Sequence, residues 1–252
     1  MRPLLIASVI AVAVATGGCR ASDAPGGGNA TSSTAARGNW PAFVNDFIEA
    51  RVRFNPSFAV GQGRHEFDGQ IDDLSPGAIS AEVDRLKKAI TDAQGFTDDK
   101  LTAEQRFERD YLIAVAKQRL FFIDPAGADQ FHHNPASYLG ALDPSVYVTV
   151  PYAPKEQRLK AYIKFLQNVP HAAEQMRANI QTPMATSFVD YGKNAFGGFA
   201  EYYPGDGMAA WKGVGTAEDQ QALKAATDNA VKAMQETAAW VESQRAASKP
   251  NF

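Results

Sequence analysis

The chain has 252 residues, a formal net charge of −3 and 45% hydrophobic residues. This length is enough for one or two domains with a buried core. The longest basic feature is the pair Lys87-Lys88, and the near-neutral charge excludes the clustered basic face of a nucleic-acid binder. We therefore expect no nucleic acid among the partners of this protein.

The first 18 residues have the order of a bacterial export signal. A positive start at Met1-Arg2 precedes an uncharged, mostly apolar run over residues 3–16, and the small residues Gly17 and Gly18 follow. The apolar run is shorter than the roughly 20 residues that a membrane-spanning helix needs. This order predicts a signal peptide over residues 1–18 and an exported protein.

Cys19 is the single cysteine, so an internal disulfide is impossible and the residue requires another explanation. The Gly-Gly-Cys ending resembles the lipobox of bacterial lipoproteins, whose cysteine thiol carries a diacylglycerol and becomes the first residue after cleavage. Thr16 departs from that pattern, which prefers an aliphatic residue there. The resemblance implies a lipid on Cys19; the alternative is an ordinary secretory signal cut near Ala15 or Gly18.

Residues 20–39 are mostly Gly, Ala, Ser, Thr and Asn without an apolar period, and such a segment cannot bury enough surface to fold. We predict that residues 19–39 are a lipidated flexible tether, which joins a membrane to a folded domain over residues 40–252. Arg20 stands where inner-membrane lipoproteins of enteric-type bacteria carry aspartate. The predicted location is therefore the cell envelope, facing the periplasm, with the outer membrane favoured.

From Trp40 onward the apolar residues recur at helical spacing. One helix begins at Trp40, and another begins at Pro76 after the N-cap Ser75. Thr102 and Gln105 form a capping box, after which a helix follows. The apolar stripe of that helix is formed by five residues: Phe107, Tyr111, Leu112, Val115 and Phe122.

Further helices are predicted over residues 155–168, 171–180 and 184–202, and a last long one begins at Thr216. The best strand signal is the β-branched run 146–150 before Pro151, but one short segment does not make a sheet. The predicted fold class is all-α, an irregular multi-helix array without an internal repeat.

None of the four histidines belongs to a recognisable metal site. His65 opens the sequence HEFDG, but HExxH requires a second histidine where this chain has Gly69. His132 and His133 are adjacent, so their rings would point apart, and His171 follows Pro170 at a predicted helix start. We predict no catalytic residue and no metal ligand in this chain.

Two other features point to loops. The carboxylates near His65 lack the spacing of an EF-hand, so a solvated loop is the simpler interpretation; they are Glu66, Asp68, Asp72 and Asp73. The sequence from Phe196 to Phe199 contains two glycines and predicts a turn or a close backbone approach.

An ordered set of residues resembles the opening of a large bacterial envelope family, domain-of-unknown-function family 885. The set is Asn55-Pro56-Ser57-Phe58-Ala59, Gly61, Gly63, His65-Glu66, Asp68 and Asp73-Leu74-Ser75-Pro76. The resemblance implies a helical fold related to HExxH zinc metallopeptidases. In such proteins two histidines and a downstream glutamate hold zinc, and the motif glutamate activates water.

The zinc motif of that family lies beyond the region matched here, so its ligands cannot be assigned to this chain. The resemblance implies the N-terminal helical part of a peptidase-like lipoprotein, incomplete at its C-terminus and inactive alone. It would form one wall of a cleft for a peptide substrate, to which His65, Glu66 and Asp68 would contribute. Zinc is expected in the longer family form only. The alternative is a stand-alone, non-catalytic binding or scaffold lipoprotein.

Overall fold

The computed structural model describes residues 39–250, and within this range it contains no β-strand. The predicted all-α array is confirmed. The α-helices in this range are α1 (Trp40–Phe54), α2 (Pro56–Gly61), α3 (Pro76–Gln94), α4 (Ala103–Ile123), α5 (Gln130–His133), α6 (Ser145–Thr149), α7 (Lys155–Asn179), α8 (Thr186–Tyr202) and α9 (Ala217–Ser243). The predicted signal peptide, Cys19 and nearly all of the predicted tether lie outside the described residues.

The predicted start signals act as local caps. The Ser75 hydroxyl accepts a hydrogen bond from the Ala78 amide at 3.2 Å and begins α3. Thr102 and Gln105 form the capping box of α4, each side chain accepting from the other residue's backbone amide. These bonds satisfy amide groups that the first helical turn leaves without a partner.

Helix α4 buries a different face from the one predicted. Phe107 and Tyr111 are 71% and 63% exposed, whereas Leu112, Ala116 and Ile123 are buried. The predicted stripe spanned too wide an arc to be covered by one neighbouring surface. The smaller aliphatic residues pack against α1 and α3, which leaves the aromatic residues on the outer face of α4.

The run with the best strand signal is helical, and two other local predictions were wrong. Residues 145–149 form helix α6, with Tyr147 buried in the core. Helix α7 runs through Pro170 without a break, so His171 lies inside it rather than at its start. The two glycines at 197–198 lie within α8, anchored by the fully buried Phe196. In each case, tertiary packing outweighs local propensity.

The buried side chains form two regions. The main core lies around α7, α8 and α9; its largest members from α7 include Tyr162, Phe165, Leu166 and Met176. The N-terminal core lies between α1, α3 and α4 and consists of two adjoining clusters, centred on Trp40 with Phe96 and on Leu86 with Ala116. Phe131 packs against both regions.

No helix between residues 39 and 250 combines the length and apolarity that crossing a bilayer requires.

A Phe→Ala substitution should have a large effect on stability in the main core and almost none on the outer face of α4. Phe165 is 1% exposed in the main core, and Phe165→Ala should lower the free energy of unfolding by about 3–5 kcal/mol. Phe107→Ala, on the outer face of α4, should change it by no more than about 0.5 kcal/mol. Chemical denaturation followed by circular dichroism measures both values. A large loss for Phe107→Ala would show that its side chain is packed.

Candidate functional site

The segment from His65 to Leu74, hereafter the motif loop, is bound to α7 and α6 through its backbone. Gly69 donates its amide to the Tyr147 hydroxyl at 2.9 Å, and its carbonyl accepts from the Asn168 side chain at 2.9 Å. The Leu74 carbonyl accepts from Asn179 at 2.6 Å. A side chain at position 69 would collide with Lys164, and φ there is +75°, so glycine is required.

Two of the three predicted cleft residues come together on the outer side of the motif loop. The His65 ring stacks on Tyr152 at 3.5 Å between centroids, and its Nδ1 lies 3.2 Å from an Asp68 oxygen. The Tyr152 hydroxyl donates to the other Asp68 oxygen at 2.7 Å. Glu66 is separate from this group and pairs with Arg64.

The other histidines have local partners. His132 and His133 both face Asp129, which adopts a left-handed backbone conformation at φ 46°. His171 is largely exposed, 4.0 Å from Glu174. Between residues 39 and 250, no three His, Cys, Asp or Glu side chains converge as metal ligands would. The described residues therefore do not fit a zinc site.

A cleft of about 680 Å³ lies between the N-terminal core and the main core. Residues from α1, α2, α4, the motif loop and the segment 130–141 surround it. They are Arg51, Asn55, Ser57, Phe58, Asp72, Leu74, Arg119, Phe122, Ile123, Gln130, Phe131, Asn134, Ala136, Ser137, Gly140 and Ala141. His65, Glu66 and Asp68 do not line this cleft.

Asp72 organises one wall of the cleft. Its two carboxylate oxygens accept from the Asn55 side chain at 2.9 Å and from the Ser57 amide at 3.1 Å. Arg119 in turn donates to the side-chain Oδ1 of Asn55 at 2.5 Å. Burial raises the pKa of the Asp72 carboxyl, and these hydrogen bonds oppose that shift. The turn between α1 and α2 is thereby fixed to the motif loop.

Two arginines share this wall. Burial lowers the pKa of Arg51, and burial together with the nearby Arg51 lowers the pKa of Arg119 to about 10. Behind them Glu82 is almost fully buried and accepts two hydrogen bonds from Arg85, at 2.5 and 2.8 Å. Arg119 Nε lies 3.5 Å from Glu82 but makes no hydrogen bond to it.

The family of bacterial proteins of unknown function DUF885 matches residues 56–252 of this sequence. The chain belongs to this family. The sequence resemblance is thereby confirmed, and the structure shows where several of the residues that carry it lie. Asn55, Ser57, Phe58 and Leu74 of the DUF885 opening motif line the cleft.

A solved structure has a similar fold. It belongs to a candidate lipoprotein of unknown function from Shewanella oneidensis, with a TM-score of 0.72 and 18% sequence identity. The similarity covers 82% of this chain but only 38% of that protein, so this DUF885 chain spans well under half of its length. No curated protein sequence matches the chain.

The sequence did not reveal the two tyrosines that contact the motif loop or the two arginines of the cleft wall. Tyr147 and Tyr152 lie about 80 positions after the motif loop that they contact, within a segment whose strongest local signal was for a strand. Arg51 and Arg119 look like ordinary helix-surface residues in the sequence. Their burial depends on packing between α1 and α4, which no local pattern reveals.

The hydroxyl of Tyr147 offers a direct test of how the motif loop is held. Tyr147→Phe should cost about 1–3 kcal/mol, because the buried Gly69 amide loses its partner while the ring is kept. Tyr191→Phe is the matched control, since Tyr191 is 57% exposed on α8. Chemical denaturation and the hydrogen-exchange rate of the Gly69 amide report both effects. Equal behaviour of the two variants would contradict the proposed attachment.

Proposed function

We propose that this chain is the N-terminal helical region of a larger envelope lipoprotein, and that the cleft between its two cores forms one wall of a substrate site. The observation that carries the proposal is that residues of the DUF885 opening motif converge on this cleft. Asn55 and Ser57 are hydrogen-bonded to Asp72 on one wall of it, and Phe58 and Leu74 supply apolar surface.

The family resemblance adds peptide hydrolysis as the proposed activity of the longer members, with zinc as their cofactor. We assign the zinc ligands and the general base to residues outside 39–250, because the described residues do not fit such a site. In this proposal the chain binds part of a peptide substrate and does not cleave it alone.

The outer face of α4 supports a place for this chain within a larger protein. Phe107, Tyr111 and Phe121 follow one another at spacings of four and ten residues, and are 71%, 63% and 58% exposed. At about 100° per residue, the four-residue step turns by about +40° and the ten-residue step by about −80°, so the three side chains lie within an arc of about 80°. An exposed row of aromatic side chains is typical of a surface that packs against another part of a protein.

The activity is tested by comparing the purified 252-residue protein with the product of the full coding region on a broad panel of peptides, with and without a chelator. We expect no cleavage by the 252-residue protein and chelator-sensitive cleavage by a longer product that contains HExxH. A coding region that stops after residue 252, with no cleavage, would favour the binding or scaffold alternative. Cleavage by the 252-residue protein with stoichiometric zinc would contradict the proposal.

Lipidation of Cys19 gives a separate prediction. Cys19→Ser should move the protein from the membrane fraction to the soluble fraction, because the thiol that would carry the diacylglycerol is gone. Ser22→Ala, in the same segment, is the control and should stay with the membrane. Fractionation and the mass of the mature N-terminal peptide provide the measurement. Retention of the Cys19→Ser variant in the membrane fraction would refute the lipid anchor.

A further inference from the structure

We propose that the cleft between the two cores binds a monoanionic carboxylate with an apolar body, held by the guanidinium groups of Arg51 and Arg119. This inference rests on the proposed function, since it names the chemistry that the cleft wall recognises. A peptide C-terminus or an N-acylated amino acid with an apolar side chain has this chemistry.

Arg51 is the first part of the argument. Among the described residues, no carboxylate lies within ion-pair distance of its guanidinium, which instead sits over the Phe58 ring at 4.6 Å. Its Nη1 atom is buried and has no hydrogen-bond partner. A buried charged donor without a partner is costly, and native proteins place such groups where a ligand, an ion or a water completes them.

Arg119 completes the pair. One of its nitrogens donates to the Asn55 side chain, and its Nε lies 3.5 Å from a Glu82 carboxylate oxygen without hydrogen-bond geometry. Burial and mutual repulsion lower the pKa of Arg119, so an anion placed between the two guanidinium groups would relieve an existing penalty. The Ser57 hydroxyl, on the same wall, lies beside the Asp72 carboxylate.

The local charge balance selects a single negative charge. Among the described residues, the main charged neighbours of Arg51 and Arg119 are Arg85, Glu82 and Asp72, so three guanidinium groups stand against two carboxyl groups, an excess of one positive charge. Glu82 is already engaged by Arg85, and the oxygens of Asp72 are engaged by Asn55 and Ser57. A dianionic phosphate would exceed this balance beside Asp72, whereas a carboxylate matches it and fits the planar guanidinium.

Much of the remaining surface of the cleft is apolar, although Gln130, Asn134 and Ser137 also line it. Phe58, Phe122 and Phe131 line it together with Leu74 and Ile123. Its volume of about 680 Å³ lies within the range typical of small-molecule sites, roughly 300–1,000 Å³. A ligand with a charge but no apolar group would leave this apolar surface in contact with water. An apolar side chain next to the carboxylate should therefore strengthen binding.

The test uses the full chain with Cys19→Ser, which removes the lipid site and changes no described residue. Calorimetric titration compares N-acetyl-phenylalanine, its uncharged amide and inorganic phosphate. We expect the carboxylate to bind at least tenfold more tightly than both the amide and phosphate. Equal binding of carboxylate and amide, tighter binding of phosphate, or no binding of any probe would each overturn the inference.

Variants at Arg51 and Arg119 test whether these two side chains hold the carboxylate. Arg51→Gln and Arg119→Gln should each weaken carboxylate binding about tenfold or more and leave amide binding unchanged. Arg53→Gln is the matched control, because Arg53 lies on the same helix but its side chain is 69% exposed. Unchanged carboxylate affinity in both cleft variants would refute the assignment.

Thermal unfolding identifies any variant that does not fold. Arg51→Lys then serves as the milder substitution, since it keeps the charge but removes the planar fork. In the chain with Cys19→Ser alone, carboxylate-induced shifts of the Ser57 and Gly140 amide resonances locate the ligand without further mutation. Shifts confined to residues distant from the cleft would overturn the inference.

The inference and the proposed function can fail separately. Carboxylate binding without peptide cleavage by any longer product would leave the inference standing and remove the peptidase proposal. Peptide cleavage by a longer product, with no preference of the cleft for a carboxylate over its amide, would remove the inference alone.

Discussion

The attachment of the motif loop to α7 is the interaction on which the described structure depends. Through the loop backbone, Gly69 and Leu74 are joined to polar side chains of α6 and α7, so the N-terminal core has a fixed position against the main core. These bonds lie at the boundary between two sets of apolar side chains. Because hydrogen bonds are directional and hydrophobic contact is not, these bonds fix the orientation of the N-terminal core against the main core.

A cleft at this boundary explains why buried charges are found there. Side chains from both cores meet without filling the space, and arginines from α1 and α4 are partly removed from water with fewer acidic partners than their number requires. Burying such groups opposes folding, so their presence is more readily explained by binding than by stability. In the proposed function, the uncovered aromatic face of α4 is a second boundary, between this chain and another part of a larger protein.

The parts of the fold set by local chemistry were predictable from sequence. Ser75 and the Thr102–Gln105 pair begin helices through hydrogen bonds to nearby amides, and the order of motif residues from Asn55 to Pro76 identified the family. Features decided by distant partners were not predictable. Pro170 lies inside α7, where neighbouring residues on both sides are buried, and Phe107 is exposed while Leu112 packs in the N-terminal core with Trp40. The motif residues show the same division: Asn55 and Leu74 line the cleft between the cores, whereas His65 contacts Tyr152 outside it.

Hydrogen exchange across the whole chain, resolved by peptide, tests the central claim most directly. If the motif loop is fixed to α6 and α7, the amides of Gly69 and Leu74, which donate to Tyr147 and Gln175, should be protected nearly as strongly as the middle of α7, because their bonds break only when that region opens. Exchange of these two amides at the rate of a free peptide, while α7 stays protected, would show that the loop does not join the two cores.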